Sequence, residues 1–302
     1  SLSTHRDPPH RRHNDTNLNL PLPGNSDLRH PDASHLAMLL LVVGLSGFHA
    51  PLGSGTRHRH GAVLSSADEY EIKPAKGTEE KMAEAADFFV DGFWLAGTTT
   101  AGVELSSSER SQLAKLSTDD MMGRYGELVG QRRLRSKLYV ARDSAGTIVG
   151  CVGVEAAMVD MVDSRVLTRA QGEALFAQEF AVMGGAERGL YRKMSLAELT
   201  EELLPEYKCF GLLANLAVAP STRGKGLARR LCAQCDTAAA KWELPAISLQ
   251  VDGANTAANS LYASLGYSEI WQDAAPALRL RPGAKELLAS EASTLITMAK
   301  GV

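Results

Sequence analysis

Leu216-Ala217-Val218-Ala219-Pro220-Ser221-Thr222-Arg223-Gly224-Lys225-Gly226-Leu227-Ala228-Arg229 runs from an apolar, strand-like stretch through a loop with one proline and two glycines. Helical patterning resumes from about Gly224 and carries on to Trp242, with Leu227, Leu231, Cys235, Ala238 and Trp242 on one face. The first N–H groups of a helix have no intrahelical partner, and glycines let an anionic oxygen approach the main chain. Lys225 and Arg229 add positive charge. The spacing is neither that of a Walker loop, which needs Gly-Lys-Ser/Thr four residues after a glycine, nor that of a dinucleotide fingerprint. Taken alone, glycines that open a helix are commonly just a turn.

A second stretch lies downstream. Asn255-Thr256-Ala257-Ala258-Asn259-Ser260-Leu261-Tyr262-Ala263-Ser264-Leu265-Gly266-Tyr267 opens with a good N-cap and closes with a glycine C-cap. Ala258, Leu261, Tyr262 and Leu265 follow i, i+3, i+4, i+7, which turns Tyr262 inward. On its own, this is a core tyrosine.

Together, Arg-x-x-Gly-x-Ala after a strand and Asn-x-x-Ala-x-x-Leu-Tyr-x-x-x-Gly-Tyr some thirty residues later resemble the GNAT superfamily of acetyl-CoA-dependent N-acetyltransferases. The resemblance is clear over residues 209–272. Leu212-Leu213-Ala214-Asn215-Leu216-Ala217-Val218 and Leu249-Gln250-Val251-Asp252-Gly253-Ala254-Asn255 look most like two of its groups. These are the bacterial ribosomal-protein alanine N-acetyltransferases and the plastid acetyltransferases of protein N-termini and lysines. The resemblance implies an α/β fold with a central mixed, mostly antiparallel sheet flanked by helices and a helical insertion before the fourth strand. It assigns the main chain of Leu216, Ala217 and Val218 to the pantetheine arm of acetyl-CoA. Arg223, Gly224, Lys225, Gly226, Leu227, Ala228 and Arg229 would cradle the pyrophosphate, and Asn255 would hold the cofactor arm. Tyr262 would be the acid that protonates the departing CoA thiolate, a role suited to a phenol that is protonated at neutral pH. Acetyl-CoA is then a co-substrate, with no metal.

One position departs from that pattern. Where the alanine acetyltransferases carry a strand glutamate as general base, this chain has Gln250, which cannot accept the proton. Asp252, two residues on and on the same strand face, is the nearest substitute, although a solvated strand-end aspartate is the commoner role; a water chain or another carboxylate, from residues 158–208, is the alternative base.

The chain has 302 residues, 32 Lys+Arg against 35 Asp+Glu and a net charge of −3, with 44% hydrophobic residues. This gives no electrostatic reason to expect nucleic acid, and no apolar run reaches the roughly 18 residues that span a bilayer. All eight histidines lie between His5 and His60, so the remainder works without Ser–His–Asp, Cys–His or His-ligated metal chemistry. Residues 1–66 read as a disordered leader, and 67–302 as the acetyltransferase domain. Leu36–Leu45 is a charge-free run of signal-core length, followed by Gly47-Phe48-His49-Ala50-Pro51 and a basic, acid-free stretch. This resembles the bipartite plastid-targeting leaders of algae with secondary plastids. It implies a start at Met38 and a plastid location, the alternative being the cytoplasm, with no membrane association of the mature form.

Along the rest, strands are predicted at Glu69–Pro74, Lys137–Ala141 and Thr147–Val154, the last two joined by a turn at Asp143–Gly146. Helices are predicted over Glu79–Phe93 and Ser108–Arg133, the second broken near Ser117–Asp120. Residues 158–208 read as mostly helical, chiefly Ala170–Val182 and Ser195–Leu203. Strands follow at Cys209–Val218, Ala246–Asp252 and Tyr267–Trp271, and Thr294–Ala299 is the last. Cys232-Ala233-Gln234-Cys235 lies within a helix, so packed thiols fit it better than a metal or redox site. Arg132-Arg133-Leu134-Arg135 reads as a solvated helix end. The leading function is acetyl transfer to a primary amine on a protein N-terminus or lysine. The alternatives are a small-molecule amine acetyltransferase and, given Gln250, an acyl-CoA-binding module without turnover.

Overall fold

The computed structural model describes residues 69–96, 104–127, 133–162, 165–274 and 276–302. The leader, its targeting motif and Arg132 lie outside them. In chain order the strands are β1 (Glu71–Pro74), β2 (Ser136–Arg142), β3 (Ile148–Asp160), β4 (Arg165–Val166), β5 (Tyr207–Val218), β6 (Ala246–Asp252), β7 (Ser268–Asp273), β8 (Pro276–Leu280), β9 (Leu288–Ala292) and β10 (Leu295–Gly301). The helices are α1 (Glu79–Phe89), α2 (Ser107–Tyr125), α3 (Arg169–Ala181), α4 (Gly185–Tyr191), α5 (Leu196–Leu203), α6 (Leu227–Lys241) and α7 (Thr256–Ser264). One sheet has the order β1-β2-β3-β5-β6-β10-β7, with β4 beside β3. Every pairing in it is antiparallel except β5–β6. This is the mixed, mostly antiparallel α/β sheet that the resemblance implies, with α3–α5 as the helical insertion before β5.

The β2–β3 hairpin forms because Asp143 accepts from the N–H groups of Ala145 and Thr147, and Gly146 takes φ +84°. Strand alternation then sorts the sheet into two faces. On one, Met82, Ala85, Phe89, Met121 and Tyr125 of α1 and α2 pack on Leu138, Val140, Cys151 and Ala217. On the other, α6 and the insertion bury Leu231, Cys235, Phe176 and Leu199 against Val152, Val154, Leu213 and Leu249. All four cysteines are free and buried, and burial pushes the thiols of Cys151, Cys209 and Cys232 up to about 12.

Several boundaries differ from the sequence expectation. Helix α2 is unbroken through Ser117–Asp120, since Ser117 is buried and the Thr118 hydroxyl bonds back to the Ala114 carbonyl. It stops at Tyr125, where Gly126 turns extended. The first helix widens into a π-helical turn over Val90–Leu95. Strand β3 runs on to Asp160, inside the segment read as helical. All thirteen of its residues are buried, so no polar alternation marks its end. The β8–β9 hairpin was unforeseen; it carries Leu280 and Leu287 to Val90 and Leu113, and Gly283 N–H donates to Glu109. Arg133 is no solvated helix end: its guanidinium lies 4.0 Å from the Phe180 ring centre, and the N–H groups of Arg133 and Leu134 both donate to Glu173.

Helix α2 seats on the sheet through an absent side chain. A Cβ at Gly153 would lie 1.9 Å from the Tyr125 hydroxyl. Gly153→Ala should therefore destabilise the protein by about 1–3 kcal/mol in denaturant unfolding, the ordinary cost of overpacking. Gly189→Ala on α4, where a methyl meets no neighbour within 4 Å, should not lower stability.

Candidate active site

Parallel pairing of β5 with β6 is confined to Gly211↔Ile247 and Leu212↔Ser248. Beyond it, β5 pairs only with β3, and there it bulges. Cys151 opposes Ala217 and Gly153 opposes Ala214, so Asn215 and Leu216 together stand against Val152. Asn215 takes φ +54°, a left-handed conformation that asparagine tolerates better than most residues. The bulge swings the end of β5 away from β6. A gap opens in the sheet, and the main chain of Leu216, Ala217 and Val218 forms its wall.

At the end of β5 the chain makes a 3-10 turn over Pro220–Thr222 and then passes Gly224 and Gly226, at φ +77° and +80°. No atom lies within 4 Å of a Cβ built on either glycine. Helix α6 begins at Leu227, three residues later than the sequence pattern suggests. Its N-cap is Gly226, with no side chain to accept from the first turn. The starts of α1 and α4 likewise have no side-chain cap, whereas α2, α3 and α5 carry complete capping boxes and Asn255 caps α7. The amides of Leu227, Ala228 and Arg229 are thus left as anion donors in open space.

The basic side chains around this loop are committed elsewhere. Arg223 spans three carbonyls, those of Val218 (3.1 Å), Ala96 (3.0 Å) and Gly92 (3.2 Å), and so ties the π-turn to β5. Lys225 meets the Tyr70 hydroxyl at 3.2 Å and Glu69 at 3.6 Å, while Arg229 bonds the Ser264 hydroxyl at 2.7 Å, joining α6 to α7. Asn255, expected to hold the cofactor arm, spends its side-chain oxygen on the Ala258 N–H.

Tyr262 lies on the α6 face of the sheet, buried, its ring edge-on to Tyr267 at 5.7 Å. Burial, with Cys232 and Cys235 nearby, holds its phenol well above the ordinary value, so it stays protonated. Gln250 and Asp252 alternate with the buried Leu249 and Val251 and therefore face the α1–α2 side. Gln250 donates to Thr297, and its amide oxygen is buried without a hydrogen-bond partner among the described residues. Asp252 is engaged on every side: Arg279 at 2.5 Å, the Ser293 hydroxyl at 3.1 Å and the Ala254 N–H at 2.9 Å. Burial alone would raise its pKa, but these donors hold it below the usual carboxylate value. With these partners Asp252 anchors the β8–β9 hairpin at the end of β6, the strand-end role that weighs against its reading as the substitute base.

Sequence reading missed a buried charged group on the same face. Arg124 joins Asp120 (3.1 Å) to Glu155 (2.5 Å), Asn215 donates to Asp120 at 3.4 Å, and Tyr125 donates to Asn215 at 3.0 Å. Only the i, i+4 spacing of Asp120 and Arg124 was visible in advance.

The sheet order, the parting of β5 from β6 and the glycine loop at the start of α6 match the fold expected of an acetyl-CoA-dependent acetyltransferase. Residues 104–267, more than half of the chain, match the acetyltransferase (GNAT) family, and the chain belongs to that family. Among similar solved structures is a GNAT-family acetyltransferase from Streptococcus pneumoniae, with 13% identity over 78% of this chain and 100% of the other and a TM-score of 0.39. Another is a GCN5-related N-acetyltransferase from Kribbella flavida, with 18% identity over 78% and 100% and a TM-score of 0.38. A protein from Salmonella typhimurium described as an acetyltransferase, solved with acetyl-CoA, has 14% identity over 78% and 94% and a TM-score of 0.37. A comparison with curated proteins gives no match.

The Asp252–Arg279 pair makes a pH-dependent contribution whose sign is fixed. A carboxyl whose folded pKa lies below its unfolded value stabilises fully above the unfolded value, and that stabilisation is lost as pH falls through the folded one. Arg279→Leu should cost on the order of 1–3 kcal/mol at neutral pH. In unfolding curves the difference between the two proteins should shrink once the pH drops below the ordinary carboxylate range.

Proposed function

We propose that this chain transfers the acetyl group of acetyl-CoA to a primary amine of a protein, at its N-terminal α-amine or a lysine side chain. The observation that carries the reading is the glycine-capped start of α6 at the point where β5 leaves β6, with Tyr262 buried in the core on the α6 face and held protonated. The loop residues 223–229 fit a pyrophosphate held chiefly by main-chain N–H groups, since Arg223, Lys225 and Arg229 already serve protein partners. The edge of Leu216–Val218 that no longer pairs with β6 fits an extended pantetheine arm. Resemblance to plastid acetyltransferases and the composition of residues 1–66 support a plastid location as part of the same proposal.

The chemistry follows from these groups. A neutral amine attacks the thioester carbonyl, the C–N bond forms, the C–S bond breaks, and the nitrogen gives up one proton to solvent, from which Tyr262 is reprotonated. Sulfur leaves with the electron pair and takes the Tyr262 proton. Gly226→Asp would place a negative charge against the phosphates and should abolish CoA binding in calorimetry. Tyr262→Phe should retain CoA affinity and lower turnover, read as free-thiol release, by 10²–10⁴-fold. Tight CoA binding with no thiol release for any amine would instead indicate an acyl-CoA-binding module.

Strand β6 offers no free carboxylate. An α-amino group with a pKa of about 7.7–8.0 has a sizeable neutral fraction near neutrality, whereas a lysine at about 10.4 has almost none. Peptide N-termini should therefore exceed internal lysines as acceptors. Gln250→Glu should raise the rate on lysine peptides more than on α-amine peptides. Faster acetylation of lysine peptides by the unaltered protein would contradict the argument from Gln250.

A further inference from the structure

We propose that the acceptor is an extended peptide laid across β6, β10 and β7, with its amine at Gln250 and the side chain of its third residue on Trp271. The inference rests on the acetyl-transfer reading and deepens it, since it names the form of amine the site takes and a residue that selects it.

Register is the first argument. Gln250 stands opposite Thr297, and Thr297 stands opposite Trp271. Directly opposed residues of antiparallel strands share a face, and the Gln250 amide donates to the Thr297 hydroxyl at 3.3 Å. The three side chains therefore form one row on the α1–α2 side of the sheet. That row starts where the sheet parts, because β6 pairs with β5 as far as Ser248 and Gln250 lies two residues beyond. It ends on β7, the edge strand. The next row towards the end of β6 begins with Asp252, to which Arg279 and Ser293 fasten the β8–β9 hairpin. The hairpin thus flanks the row.

Surface chemistry is the second. The apolar side chains of α1 and α2 pack on β2, β3 and β5, and Trp271 lies beyond them, 40% exposed. Its ring has no aromatic or cationic neighbour among the described residues. A register shift sets Trp271 against Thr297 while Glu269 meets Met298, and bulges of this kind re-aim a side chain. An exposed tryptophan joins a large apolar face to one N–H donor, and tryptophan is the residue type most enriched where binding energy concentrates. At the other end of the row, the Gln250 amide oxygen is buried without a partner among the described residues. Buried polar atoms are ordinarily hydrogen-bonded, and an amine arriving along the row brings the N–H that this oxygen lacks.

Length is the third. Two strand spacings separate Gln250 from Trp271, about 10 Å in all. An extended peptide advances about 3.3 Å per residue and turns its first and third side chains the same way. With the amine at Gln250, the third side chain therefore falls on Trp271. A small amine reaches only one end of the row.

Steady-state kinetics with acetyl-CoA test the proposal, using N-terminal peptides that carry leucine or glycine at the third position and a simple primary amine. The leucine peptide should have a KM about tenfold below that of the glycine peptide, the factor expected from burying part of such a side chain. Trp271→Ala should raise the KM of the leucine peptide to that of the glycine peptide, with the loss in KM and not in kcat. Trp271→Phe should keep most of the preference. Equal KM values for the two peptides in the unaltered protein, a Trp271→Ala loss that falls on kcat, or a simple amine with a higher kcat/KM than either peptide overturns this proposal alone. Absence of thiol release by the unaltered protein with every amine overturns the acetyl-transfer reading and this one with it.

Discussion

The structure depends on one backbone irregularity. A parallel strand pair would normally stay bonded along its length, yet β5 and β6 pair at only two positions before Asn215 adopts a left-handed conformation and the strands part. That conformation is costly for a residue with a side chain, and it persists because its surroundings over-determine it. The Asn215 side chain is gripped at both ends by α2, through Tyr125 and Asp120. Tyr125 can reach it only because position 153 lacks a Cβ. A glycine on β3, a tyrosine and an aspartate on α2 and an asparagine on β5 thus form one mechanical unit whose product is a gap through the sheet.

The second design choice is electrostatic. Capping a helix with a side chain is worth about 0.5–2 kcal/mol, and four helices of this chain take that stabilisation. Helix α6 forgoes it at the mouth of the gap. The cations that might have compensated serve as braces instead: Arg223 holds the π-turn, Arg229 holds α7, and Lys225 meets Tyr70 and Glu69 at the first described residues. A loop whose positive side chains are anchored keeps its amides fixed in direction, which is what an extended anionic ligand requires of a main-chain cradle.

What was legible in the sequence was local. The strand, loop and helix around Gly224 and Gly226, the capped helix carrying Tyr262 and the turn at Asp143 each declare themselves within a dozen residues, because glycine conformation, capping and periodicity act at that range. Strand β3 escaped because both its faces are buried and a uniformly apolar run carries no period. The bulge left no mark, since Asn215 reads as one more polar residue in a strand. Arg133, Arg223 and the Asp120–Arg124–Glu155 group were misjudged or missed for another reason. Apart from Val218 for Arg223 and the Asp120–Arg124 pair, their partners lie from 31 to 131 positions away, so only the folded sheet brings them together. Asp252 belongs with them: its place on the strand was readable, but the arginine that neutralises it comes from a hairpin that composition did not announce.

The same electrostatics bear on position 250. Gln250 and Asp252 share a strand face, and Arg279 is already bound to Asp252. A glutamate at 250 would add a second, unbalanced negative charge at the edge of the hairpin, where burial penalises it. On α2 the balance is the reverse, for one arginine, Arg124, serves two carboxylates, Asp120 of its own helix and Glu155 of β3. That shared cation ties the helix to the strand beside the bulge, where Asn215 donates to Asp120.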